Sequence, residues 1–137
     1  MMKDLEAFAT GQLGEEGVKL PLKDVDGNET KHWIKVKSTD SLCFKKAQSK
    51  FRKKLVSIHE ENDGVDSIQT LEATEKFSNE LLASLVVDWS FHDDDGSKHP
   101  CTKANVLKVF KEAPMLAQEI DVASAKRKNF IKGSLKK

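Results

Sequence analysis

Tyrosine is absent from this chain of 137 residues, aromatics as a group make up 7 %, and only two cysteines and three prolines occur. So few large aromatic side chains argue against a β-sandwich and suit a soluble, helix-rich protein with a modest core. Cys43 and Cys101 are too few and too scattered for a disulfide framework and read as reduced thiols. No apolar run approaches the roughly 18 residues that span a bilayer, so no membrane association is expected. The N-terminal "MMKDLEAFAT" has no apolar stretch of signal-peptide length, and a cytoplasmic location follows as an expectation. Nor is there an excess of one charge. Lys and Arg number 23 against 22 Asp and Glu, which gives no global pull towards nucleic acid, a membrane surface or an acidic substrate.

What is present is a charged chain of a length that suits one domain. Residues 1–17 read as a flexible arm, interrupted by Gly11, Gly14 and Gly17. A single helical domain is expected over 18–133, with residues 134–137 as a frayed basic tail. The domain opens with a β-hairpin at 18–37: Val18, Leu20 and Leu22 alternate with polar residues, as do Ile34 and Val36, around the turn signal "DGN". Pro21 has no N–H to donate and demotes the first strand to an edge. "STDS" at 38–41 offers cap oxygens to a helix whose Phe44, Ala47, Phe51, Leu55 and Ile58 form one apolar stripe. "ENDG" then ends that helix.

The spacing of Phe77, Leu81, Leu85 and Trp89 predicts a central helix from Ile68, capped by Asp66 or Ser67, to about Trp89. Thr102 should cap a short helix bearing Val106, Leu107 and Phe110. Pro114 suits the first position of a last helix that carries Leu116, Ile120, Ala123 and Phe130. The expected fold is mainly α: a small bundle of three to four helices with an N-terminal β-hairpin.

The segment between the last two apolar blocks, "SFHDDDGSKHPC", concentrates His92, Asp93, Asp94, Asp95, His99 and Cys101. With Gly96 at the sixth position of a calcium loop, the first and twelfth positions fall on Phe91 and Thr102, neither of them a carboxylate. Zinc would use His92, His99 and Cys101, without the tight pairing of structural sites. Ser90, His92 and Asp93 are sequence neighbours, whereas catalytic triads draw on separated segments. Asp, Gly and Ser favour turns for backbone reasons. The segment reads as a hydrated turn, and the chain as a non-enzyme without cofactor or metal.

Two features point to partners. Lys45, Lys46, Lys50, Arg52, Lys53 and Lys54 crowd one helix, which could follow a phosphate backbone or meet an acidic protein. An acidic segment from Glu60 to Glu75 and the apolar stripe of the same helix place nucleic acid second. Trp33 faces opposite to Ile34 on a hairpin beside a sheet edge, where strand addition recruits partners.

From Val18 to Gly133 the order of segments resembles the tail assembly chaperones of long-tailed bacteriophages. The positions that carry the resemblance are the aromatic strand "KHWIKVK" before Ser38, Asp40 and Ser41; Trp89 followed by Asp95 and Gly96; Thr102, Lys103 and Asn105; Pro114, Leu116, Gln118 and Ile120; and Asn129 with Phe130. The resemblance implies a transient factor, acting in the host cytoplasm, that coats the tape measure protein and recruits tail tube subunits. It is absent from the finished virion, and self-association into a homo-oligomer is compatible with the role. Candidate partner-binding residues are Trp33, Lys45, Lys46, Lys50, Lys53 and Lys54. The alternative is a small nucleic-acid-binding or regulatory helical protein that uses the basic helix at 45–54.

Overall fold

The computed structural model of the chain describes residue 5 and residues 8–61 and 68–131, side chains excepted at 55, 58–61 and 68–73. Residues 62–64 of the "ENDG" break, the Asp66 or Ser67 cap and the basic tail lie outside the described residues. The alternating segments form the expected antiparallel pair, β1 (Val18–Lys23) and β2 (Glu29–Val36). One carboxylate holds the turn between them: Asp24 Oδ1 accepts from the N–H groups of Asp26 and Asn28 at 3.0 and 2.9 Å.

Pro21 lies on an edge strand, as its chemistry requires. Opposite it stands Trp33. The Trp33 N–H donates to Ser90 Oγ at 2.9 Å, and its carbonyl accepts from the Ser90 N–H at 3.1 Å. Both backbone groups of Trp33 thus point away from β1, so the two residues form a non-hydrogen-bonded pair. The Pro21 nitrogen faces the open edge, where no ladder bond is lost.

The chain departs from the expected fold after residue 83. Instead of running to Trp89, helix α3 (Ile68–Ala83) stops, and Val86–Trp89 forms a third strand, β3. It pairs antiparallel with β2, placing Ile34 opposite Trp89 and Val36 opposite Val86. A spacing of four is close to one helical turn and is also a multiple of two, so Leu85 and Trp89 share a side under either geometry. Local chemistry and an available edge decide the outcome. The Ser84 hydroxyl donates to the Leu81 carbonyl at 2.5 Å, capturing an acceptor of the last turn. Val86 and Val87 are β-branched and favour a sheet, and Lys37 N–H is positioned to donate to the Leu85 carbonyl at 2.8 Å. Leu85 and Trp89 are consequently buried, with Val87 exposed between them. The mainly α bundle is therefore corrected to a mixed α/β fold. Among the described residues, five helices accompany a three-stranded antiparallel sheet of order β1-β2-β3.

The inner face of the sheet supplies Leu22, Ile34, Val36 and Trp89 to the core, opposite Val106 and Phe110 of α4 (Lys103–Glu112) and Ala117 and Ile120 of α5 (Pro114–Ala125). Thr102 caps α4 as its sequence suggests, its Oγ1 accepting from Asn105 N–H at 3.2 Å. Pro114 opens α5. Phe130, expected on that last helix, instead follows it in a short 3₁₀ turn, Arg127–Phe130, and is fully buried. The Asn129 side chain donates back to the Ala123 carbonyl at 2.9 Å and fixes the turn against the end of α5.

Within the segment read as an arm, Gly11–Glu16 forms a short helix, α1. A Cβ at Gly14 would stand 3.0 Å from that of Ser38, so this glycine admits close approach rather than breaking the turn. Its carbonyl accepts from Ser38 N–H at 3.0 Å. Glu15 then caps α2 (Leu42–Glu61) from a distance in sequence: its carboxylate accepts from Leu42 N–H at 2.9 and 3.2 Å. A carboxylate is favoured at the positive end of a helix dipole. The "STDS" side chains are engaged elsewhere. Ser38 Oγ accepts from Asp40 N–H, the Thr39 hydroxyl donates to the Ser124 carbonyl at 3.5 Å, Asp40 binds Arg127, and Ser41 Oγ lies 3.5 Å from Cys43 Sγ.

Candidate functional site

The acidic loop after β3 proves to be a small hydrogen-bonded hairpin. Asp93 N–H donates to the Ser97 carbonyl at 2.8 Å and Gly96 N–H to the Asp93 carbonyl at 2.9 Å, with Gly96 at φ 88°. Asp95 Oδ1 accepts from both the N–H and the hydroxyl of Ser97, and those bonds hold its carboxyl below the usual range. Asp93 reaches His99 Nδ1 at 2.6 Å. The His99 ring stacks on Trp89, whose indole N–H donates to the His99 carbonyl at 2.7 Å.

The candidate nucleophiles are likewise occupied. Ser90 Oγ accepts from Trp33 N–H and lies 3.2 Å from His32 Nδ1. Burial pushes the Cys101 thiol up from its ordinary range, and nearby Asp88 adds to the shift, so the reactive thiolate is disfavoured. Among the described residues no three His, Cys, Asp or Glu side chains are placed to hold one metal ion.

The lysines singled out on α2 belong to a different environment. Lys45, Lys46, Lys50, Lys53 and Lys54 are all exposed, as is Arg52. Among the described residues none of them has a carboxylate within ion-pair distance. At about 100° per residue the six cations encircle the helix outside its apolar stripe rather than forming one face. Lys46, Lys50 and Lys54 border a groove of about 370 Å³ between α2 and α3, joined by Lys103 from the first turn of α4. Its apolar lining includes Ala47, Phe51, Phe77 and Leu81, all half-buried. Phe51 and Phe77 meet edge to face with centroids 6.1 Å apart, and the Lys54 ammonium lies 5.0 Å from the Phe77 centroid.

No family model, curated protein or solved structure matches this chain. The site therefore rests on its own geometry.

Trp33 does not join the lysines. It lies half-buried on the sheet face opposite Ile34, with the Lys19 ammonium 4.3 Å from its ring centroid, and it lines no part of the α2–α3 groove. The structure thus separates one aromatic candidate on the sheet from a cationic groove on the helices. The apolar floor of that groove was missed in the sequence. Phe44, Ala47 and Phe51 read there as a stripe buried within the molecule, yet no residue of α2 with a described side chain is fully buried. No helix among the described residues is long and apolar enough to cross a membrane.

Proposed function

We propose that the chain is a non-enzymatic assembly chaperone of the phage-tail type. It binds the tape measure protein, keeps the apolar helices of that protein in solution, recruits tail tube subunits, and is absent from the finished virion. The observation that carries this reading is the incompletely covered stripe of α2: Phe44, Ala47 and Phe51 remain half-buried on a helix flanked by cations without carboxylate partners among the described residues. A surface that is apolar and charged at once suits reversible contact with another protein.

The positions of the sequence resemblance have structural roles: Trp89 and Phe130 fill the core, Thr102 and Asn129 hold helix ends, and Pro114 opens α5. They bear on a shared architecture, and the α2 surface bears on binding. The test is co-expression of the intact chain with a long helical tape measure protein and a tube subunit encoded beside it. The expected outcome is a higher soluble yield of the long protein and a complex that survives a high-salt wash. An unchanged yield, with nucleic acid as the sole bound species and lost as salt rises, would overturn the reading in favour of the nucleic-acid alternative.

A further inference from the structure

We infer that the groove between α2 and α3 receives an acidic amphipathic helix of a partner protein. Apolar side chains of that helix rest on Phe51 and Phe77, and its carboxylates meet Lys46, Lys50, Lys54 and Lys103. This inference rests on the reading of the chain as a protein-binding assembly factor and names the chemistry of what it binds. Charge complementarity selects the occupant. Four ammonium groups line the groove against a single carboxylate, Glu80. Lys103 stands at the first turn of α4, where the helix dipole already contributes partial positive charge. A basic or neutral helix would leave those ammonium groups unmatched.

The spacing is helical as well. Lys46, Lys50 and Lys54 succeed one another at about 6 Å along the axis, the interval at which carboxylates four residues apart recur on a partner helix. At about 370 Å³ the groove holds a few side chains rather than a whole helix. The partner therefore lies along the rim and lowers its apolar residues between the lysines. Single-stranded nucleic acid fits less well, because base stacking needs a free ring face. The Phe77 ring is contacted by Lys54 and by the edge-to-face Phe51. A second groove of about 570 Å³ between β1 and α5 also carries more cations than carboxylates, Lys23, Lys126 and Lys128 against Glu119, but no aromatic ring lines it to seat the apolar side chains of a helix.

The experiment uses the full chain and a fluorescein-labelled peptide of about 20 residues, with Leu at helical spacing and Glu flanking the apolar face. A second peptide carries Lys in place of Glu, and a thymidine 20-mer serves as the nucleic-acid probe. Anisotropy should show saturable binding of the Glu peptide alone, weakened about tenfold or more by K46E/K50E and unchanged by R52E/K53E, whose residues lie outside the groove. Cys43 lines the groove and Cys101 does not, so bound peptide should slow alkylation of Cys43 and leave Cys101 unaffected. Equal binding of the Lys peptide, equal weakening by R52E/K53E, or tighter binding of the oligonucleotide would overturn the inference. A K46E/K50E chain that still solubilises the long partner on co-expression would remove the groove and leave the assembly reading standing. A wild-type chain that binds the peptide but solubilises nothing would do the reverse.

Discussion

The Asp40–Arg127 pair ties the entry of α2 to the turn after α5. Arg127 Nε donates to Asp40 Oδ2 at 2.8 Å and Nη2 to Oδ1 at 3.2 Å. That bidentate contact, outweighing partial burial, holds the Asp40 carboxyl below its ordinary range. A carboxylate with a depressed native pKa stabilises the fold above its unfolded value, about 3.9. The contribution is lost as the pH falls through the lower native value. Arg127→Ala should therefore reduce the urea midpoint at pH 7, and the wild-type and variant midpoints should converge as the pH falls through the lowered native value of Asp40. Urea titrations across that range check it. Asp88, similarly lowered by Lys98 at 2.6 Å, adds a dependence of the same sign that both proteins share. At this scale the sequence was legible where partners are local, as for Thr102 and Asn105. It was silent where they are distant: nothing near Leu42 announces that Glu15, 27 residues earlier, will cap it.

Among the elements, β1, β2, α4 and α5 form where turn chemistry, alternation and caps predict them. Strand β3 does not, because the spacing of Leu85 and Trp89 satisfies helix and strand alike and the pairing edge of β2 is visible only in three dimensions. This makes a discriminating variant available. Val86→Ala with Val87→Ala improves helix propensity but removes the β-branched side chains that favour the sheet. Stability should fall by roughly 1–2 kcal/mol in all, with helical circular dichroism unchanged. A more stable, more helical variant would show instead that α3 can extend to Trp89. The α2 lysines were legible as a charge pattern, whereas their division between groove and open solvent depended on where α3 and α4 pack.

For the molecule as a whole, β1 forms one of the two outer edges of the sheet. It carries Lys19, Pro21 and Lys23, residues that discourage pairing with a further strand. Because the Pro21 nitrogen points outward, Pro21→Val should leave the unfolding midpoint nearly unchanged. It would also add an outward donor, and concentration-dependent self-association should then appear in sedimentation velocity, absent from the wild type at the same concentrations. The register of the sheet has a further consequence, in time rather than in space. Val36 and Val86 stand opposite one another, yet all of α2 and α3 lies between them in the chain. The β1–β2 hairpin closes over a short turn within microseconds, whereas laying down β3 must bear the entropy of a far larger loop. Pairing of α2 with α3 shortens that loop, so the contact that completes the sheet is expected among the last that a newly made molecule acquires.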